Sequence, residues 1–116
     1  MSELTADAIA RLKPGRAMDA AVAEHVMGWQ PDPLDPAPAP RYSADDALAA
    51  QVLDHLAKFV PATSVLDERP LRDGHRVDVT DRESQTILIE AVGPSRAAAV
   101  ARFALLFVLH HPEAGG

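Results

Sequence analysis

The sequence predicts an α+β protein, a three-layer helix/sheet/helix sandwich around a small three-stranded antiparallel meander. Two observations predict this class. Apolar residues recur at helical spacing before residue 61 and after residue 93, which is typical of amphipathic helices. Between these positions the spacing changes to every second residue, and short polar turns separate three apolar segments, which is typical of strands.

The length and composition indicate one globular domain. The 116 residues match the usual size of a single domain, so we expect one domain over 1–116. The apolar fraction is 47%, but only five residues are aromatic, so the core is expected to be mainly aliphatic. The chain has no cysteine, which excludes disulfides, thiolate chemistry and cysteine-based zinc sites.

The charge argues against a nucleic-acid partner. A formal charge of -6 disfavours phosphate backbones, which are bound by clustered Lys and Arg. The first residues lack the basic start and apolar run of a secretory signal. The longest apolar run, 97–109, is broken by Arg102 and is too short to cross a bilayer. We therefore expect a cytoplasmic protein without a membrane partner.

Two helices are predicted before a proline-rich segment. The first covers Ser2 to Lys13, within an N-terminal helical extension over 1–16. The second covers Ala17 to Met27 and ends at Gly28. The linker at 30–41 contains five prolines, which exclude a helix or an inner strand. It is interpreted as a spacer, with recognition of its polyproline conformation as the alternative.

The third helix and the sheet follow the linker. Ser43 is predicted to cap a helix that ends before Pro61. Strands are then predicted at 64–67, 76–80 and 86–92, and Asp73-Gly74 predicts the first hairpin turn. The run Ile87-Leu88-Ile89 is apolar at consecutive positions, which favours a strand covered on both faces of the sheet.

The last helix is predicted to begin at Gly93-Pro94, with proline at its first position, and to reach about His110. It is apolar nearly all the way round. We expect part of this surface to be buried in a homo-oligomer, most simply a dimer. The expected interface residues are Phe103, Leu106 and Phe107. Complete burial within one chain is the alternative.

Three stretches resemble a known family. They are MDAAVAEHVMGW at 18–29, RYSADDALAAQVLDHL at 41–56 and SRAAAVARFALLFVL at 95–109. Together and in this order they are similar to the phage ABA sandwich domain family. The resemblance implies α/β/α layering and a phage or prophage origin, and it brings no catalytic residues.

Polar candidates for a ligand site are scattered. Ser95 and Arg96 stand at a helix start, where free N–H groups and a guanidinium suit an anion, although a helix cap explains them equally. Asp78 and Glu90 can meet across the strands as an acid pair, or each can pair with Arg76 or Arg82. The five histidines have no metal-binding spacing, so we expect no metal and no cofactor.

Aromatic residues flank the linker. Trp29 and Tyr42 either stack and close the loop or, with Arg41, bind a partner. No catalytic set is recognised, so the first interpretation is a non-enzymatic, phage-related accessory protein that acts through protein–protein contacts with an unknown partner. The alternative is a small-molecule or nucleotide-binding module. Its ligand-binding residues would be drawn from Trp29, Arg41, Tyr42, Arg76, Ser95 and Arg96.

Overall fold

The computed structural model describes residues 5–28 and 39–115. The chain forms helices α1 (Ala6–Arg11), α2 (Arg16–His25) and α3 (Asp46–Ala57), strands β1 (Ser64–Leu71), β2 (Gly74–Asp81) and β3 (Ile87–Gly93), helix α4 (Arg96–His110) and a short 3-10 turn, Pro112–Ala114. The strands form one antiparallel sheet in the order β1-β2-β3. The predicted α+β class and the three-stranded antiparallel meander are confirmed.

The order of the layers differs from the expected helix/sheet/helix arrangement. Helix α4 packs on one face of the sheet, against β2 and β3, and α1, α2 and α3 pack on α4. Val77 and Val79 of β2, with Ile89 and Ala91 of β3, point into this layer and are buried. In the described ranges no helix packs on the opposite face, so the helices lie on one side of the sheet.

Two of the predicted helix starts are wrong. Asp45, not Ser43, caps α3, and its carboxylate accepts the N–H groups of Ala47 at 2.8 Å and Leu48 at 3.3 Å. At α4 the cap is Ser95, whose Oγ accepts the Ala98 N–H at 3.2 Å, so Pro94 lies before the helix rather than at its first position.

The first strand is longer than predicted because its pairing with β2 continues through Pro70 to Leu71. β1 extends to Leu71 and includes Pro70, which has no N–H to donate. An edge strand tolerates this because one side of its backbone has no neighbouring strand. The predicted turn at Asp73-Gly74 joins β1 to β2, and Gly74 pairs with Leu71.

Strand β3 approaches α4 closely at Gly93. A methyl group at this position would lie 2.6 Å from the backbone nitrogen of Ala99 and 2.9 Å from the carbonyl carbon of Ala98. Glycine is therefore required for steric reasons at the corner where the chain passes from the sheet into the helix.

The predicted N-terminal extension is part of the helical layers. Ile9 of α1 is fully buried, and the Leu12 carbonyl accepts a 2.7 Å hydrogen bond from Arg102 of α4. The predicted linker at 30–41 lies outside the described residues, apart from its last three positions.

Candidate functional site

The face of the sheet turned away from α4, here called the open face, carries the candidate site. Side chains alternate along a strand, so the register assigns each residue to a face. The open face consists of Val65, Asp67, Arg69 and Leu71 of β1, Arg76, Asp78 and Thr80 of β2, and Ile87, Leu88, Glu90 and Val92 of β3.

A β-bulge explains why the open face is rich in apolar side chains. Val79 pairs with Ile89, but Thr80 pairs with Ile87, so Leu88 is an extra residue opposite β2. The bulge allows Ile87 and Leu88 to point to the same face, whereas Ile89 points to α4. The run Ile87-Leu88-Ile89 predicted a strand covered on both faces. Because of the bulge, the same run belongs to a sheet that the described helices cover on one face only.

The exposed apolar residues are concentrated on this face. In the described ranges five large apolar side chains are exposed, and all five belong to the open face. Leu88 is the most exposed, at 53%. The others are Val65, Leu71, Ile87 and Val92. On β1, Val65 and Leu71 lie at the two ends of the strand with Asp67 and Arg69 between them, whereas β3 contributes Ile87, Leu88 and Val92.

The central strand carries a network of ion pairs. Arg76 Nε lies 3.2 Å from Asp78 Oδ2, and its Nη2 lies 3.1 Å from Glu90 Oε2. The Nε–H bond does not point at a carboxylate, so that contact is electrostatic rather than a hydrogen bond. Asp78 is 4% exposed and accepts a hydrogen bond from Thr80. Of the two arginines predicted to pair with these acids, Arg76 forms the ion pairs.

Arg96 and Ser95 are both occupied by structural contacts. The Arg96 guanidinium donates two hydrogen bonds to Glu68, at 2.7 and 3.2 Å, and Glu68 Oε1 also lies 2.9 Å from His75 Nε2. Hydrogen bonding from Arg96 lowers the pKa of Glu68 below its usual value. The predicted anion site at this helix start therefore already contains a carboxylate of the same chain.

A shallow groove of about 240 Å³ lies beside this pair, between α3 and β1. Leu53 of α3 and Leu66 of β1 contribute to its apolar part, and Asp54, Glu68 and Arg96 contribute charge. Pockets for small ligands are usually larger, about 300–1,000 Å³.

The residues flanking the linker divide between surface and core. Arg41 is exposed, whereas Tyr42 is 8% exposed, and its burial raises the pKa of the phenol. Trp29 lies outside the described residues, so its predicted contact with Tyr42 stays a prediction. Arg76 pairs with Glu90 on the open face, Arg96 pairs with Glu68, and Tyr42 belongs to the core, so the three residues do not form one site.

The expected interface on α4 is contradicted for two of its three residues. Phe103 and Phe107 have no exposed surface in the single chain, in which α1, α2, α3 and the sheet all pack against α4. Leu106 is half-buried. The alternative, burial within one chain, holds for the two phenylalanines.

The sequence interpretation missed a buried pair, Asp19 and Ser43. Ser43 donates to the Asp19 carboxylate from its backbone N–H at 2.7 Å and from Oγ at 2.6 Å. Asp19 falls in a helix of alternating small residues, and nothing in its local pattern distinguishes it from a solvated acid. The pair ties α2 to the segment before α3.

The histidines take part in local contacts. His55 Nε2 bonds the Ala114 carbonyl at 2.8 Å, as expected for a histidine at the core edge, and His111 stacks on Phe107 with ring centroids 4.7 Å apart. Across the described ranges, no three His, Asp or Glu side chains are grouped as they would be to hold a metal ion. None of the helices in those ranges has the length and apolar character needed to span a bilayer.

No protein-family model, curated protein or solved structure matches the chain. The resemblance to the phage ABA sandwich domain family stays a prediction.

Proposed function

We propose that this protein is a non-enzymatic binding protein that contacts another polypeptide through the open face of its sheet and the adjoining edge of β3. The observation that supports the proposal most directly is the position of its exposed apolar side chains. All five of them in the described ranges lie on the open face, while the side chains between sheet and helices are buried. Apolar surface gathered on one side is typical of interaction sites.

The edge of β3 adds backbone groups to this surface. β3 is the last strand of the sheet, so among residues 5–28 and 39–115 no strand lies beside its outer edge. An exposed edge binds an extended segment by continuing the hydrogen-bond ladder, and neighbouring side chains supply specificity. In β3 those neighbours are Ile87, Leu88 and Val92, each more than 40% exposed.

The polar groups of the site favour structure over catalysis. Arg76 is engaged by two carboxylates and Arg96 by Glu68. A catalytic role would require at least one of these charged groups to be available to a substrate. Their mutual pairing supports a binding role.

Site-directed photo-crosslinking tests the proposal. A photoreactive amino acid at position 88 should form a discrete adduct in cells that express the protein. The same amino acid at Gln51, exposed on the outer side of α3, is the matched control and should form none. If neither position 88 nor position 92 formed an adduct while circular dichroism showed an intact fold, the proposal would be contradicted.

The groove between α3 and β1 favours a second candidate function, binding of a small polar molecule. It combines the Arg96–Glu68 pair with the apolar side chains of Leu53 and Leu66. Amide NMR shifts at residues 53, 66 and 96 on addition of nucleotides or amino acids test it. Shifts confined to these positions would support the second candidate, and unchanged spectra would contradict it. The phage or prophage origin and the cytoplasmic location also stay predictions.

A further inference from the structure

We propose that the partner of β3 is a second copy of this chain, which pairs with it antiparallel across a two-fold axis to give a continuous six-stranded sheet. The inference rests on the proposed function, because it uses the same strand edge. It commits to one occupant on the basis of the difference between the two sheet edges and the self-complementary spacing of the apolar residues of β3.

The two edges of the sheet differ in their ability to accept a strand. β1 contains Pro70 and three consecutive charged residues, 67–69, features that protect natural edges from pairing. β3 contains neither proline nor lysine, and Glu90 is its only charged residue. The sheet can therefore grow at β3 and not at β1. Growth at one edge only gives a closed two-fold dimer instead of a fibre.

Glu90, the charged residue of β3, forms an ion pair within each copy. Glu90 lies 3.1 Å from Arg76 Nη2 of the same chain. Arg76 is shared with Asp78, so the ion pair weakens the repulsion between two Glu90 carboxylates at the seam without cancelling it. The choice of a second copy therefore depends on the difference between the two edges and on the spacing of the apolar residues of β3.

The geometry of edge pairing fixes which residues meet. Antiparallel pairing of identical edges needs a two-fold axis perpendicular to the sheet, which puts both open faces on the same side. With Glu90 at the axis, Leu88 lies opposite Val92 of the second copy, and the reverse pair forms symmetrically. Both residues are exposed in the single chain, at 53% and 41%, and would gain apolar cross-strand neighbours.

The carbonyl of Val92 is compatible with this pairing. It accepts a hydrogen bond of 3.1 Å from Arg102 Nη1. A carbonyl oxygen has a second lone pair, so the same group can accept an N–H from the second copy. Arg102 thus holds this end of β3 in place beside α4.

The dimer is expected to be weak. Seven residues of strand span about 24 Å. A seam of one strand per copy belongs with the smaller interfaces, below about 1,200 Å² of total buried area. Monomer and dimer should therefore exchange, and their ratio should depend on protein concentration.

Sedimentation velocity and single-cysteine cross-linking test the proposal, and the second is simplified because the chain has no cysteine. The unmodified protein should sediment as a concentration-dependent dimer at about 100 µM, where small interfaces become populated. Leu88→Lys should restore the monomer, whereas Val65→Lys, a matched change on β1, should not. Mild oxidation should link Glu90→Cys into a dimer and leave Arg69→Cys unlinked.

Each outcome has a defined meaning. A protein that sediments only as monomer, or a dimer unaffected by Leu88→Lys, would overturn the proposal. Circular dichroism of each variant controls for loss of folding. The mass of the adduct from position 88 separates this proposal from the proposed function. Twice the chain mass supports a second copy. An adduct with a different protein retains the binding role and overturns self-pairing, and the absence of an adduct from both position 88 and position 92 contradicts both proposals.

Discussion

Ser43 donates two hydrogen bonds to the buried carboxylate of Asp19, at 2.6 and 2.7 Å, although 24 residues separate them in the chain. Ser43 Oγ in turn accepts the N–H of Gly15 at 2.9 Å. Three segments, before α2, within α2 and before α3, are thus joined by one serine. The pair closes the loop that contains the proline-rich segment.

Replacement of Asp19 by Ala should destabilise the protein by about 2–4 kcal/mol, because the serine N–H and hydroxyl would remain buried without an acceptor. Urea unfolding measures the change. Glu24→Ala, an exposed change on the same helix, is the control and should alter stability by less than about 0.5 kcal/mol. Equal effects of the two substitutions would show that the buried pair contributes little.

The Glu68–Arg96 pair should make stability depend on pH. The pKa of Glu68 is lowered in the folded chain, mainly by hydrogen bonding from Arg96. A lowered folded pKa adds stability above the ordinary value of 4.5, and that stability is lost as the pH falls through the folded pKa. Glu68→Gln should therefore cost about 0.5–1 kcal/mol at pH 7 and nothing at the lowest pH.

Urea unfolding of the wild type and of Glu68→Gln between pH 7 and pH 3 would measure this effect. Glu83→Gln, exposed in the turn after β2, should show no such pH dependence relative to the wild type. If the free energies of unfolding of Glu68→Gln and the wild type differed by the same amount at every pH, the ionised form of Glu68 would not be the source of the stability.

Phe107→Ala should cost about 3–5 kcal/mol of stability, because a fully buried phenyl ring would leave a cavity between helices. Leu106→Ala, at a half-buried position on the same helix, should cost about half as much or less. Thermal or urea unfolding distinguishes them. If Phe107→Ala instead retained stability and changed only the oligomeric state, the expectation of an interface at this residue would be restored.

Gly93→Ala should destabilise the corner between β3 and α4. The added methyl would meet backbone atoms of Ala98 and Ala99, which cannot rotate away as a side chain can. Overpacking of this kind costs about 1–3 kcal/mol. Pro94→Ala, at the exposed neighbouring position, should have little effect in the same unfolding assay.

The sequence was sufficient for patterns that local physics determines. The alternation through Val77 and Val79 predicted β2, and the position of the acids across the strands predicted a pair with Arg76 or Arg82, of which the structure shows Arg76. Sequence patterns were insufficient where a residue far away in the chain provides the hydrogen-bond partner. Ser43 looks like a helix cap, but Asp19 takes its N–H and hydroxyl, and Asp45 caps α3 instead.

A local irregularity, the bulge at Leu88, hides from the sequence pattern that the helices cover one face of the sheet only. Without the bulge at Leu88, consecutive apolar residues indicate a strand covered on both faces. The burial of Phe107 depends on how three separate helices assemble on α4, and the periodicity of α4 alone does not contain that information. The candidate site therefore depends on how the strands and helices are arranged in space, which the sequence pattern of its residues does not contain.

The bulge also divides β3 into two parts whose side-chain directions are set by different neighbours. The residues after Leu88 are kept in phase by α4, whereas those before it follow the turn after β2. Deletion of Leu88 would remove one exposed apolar side chain and leave the alternation of Ile89 to Gly93 intact. A single-codon deletion or insertion at this point could thus tune how readily the protein associates, with little effect on how it folds.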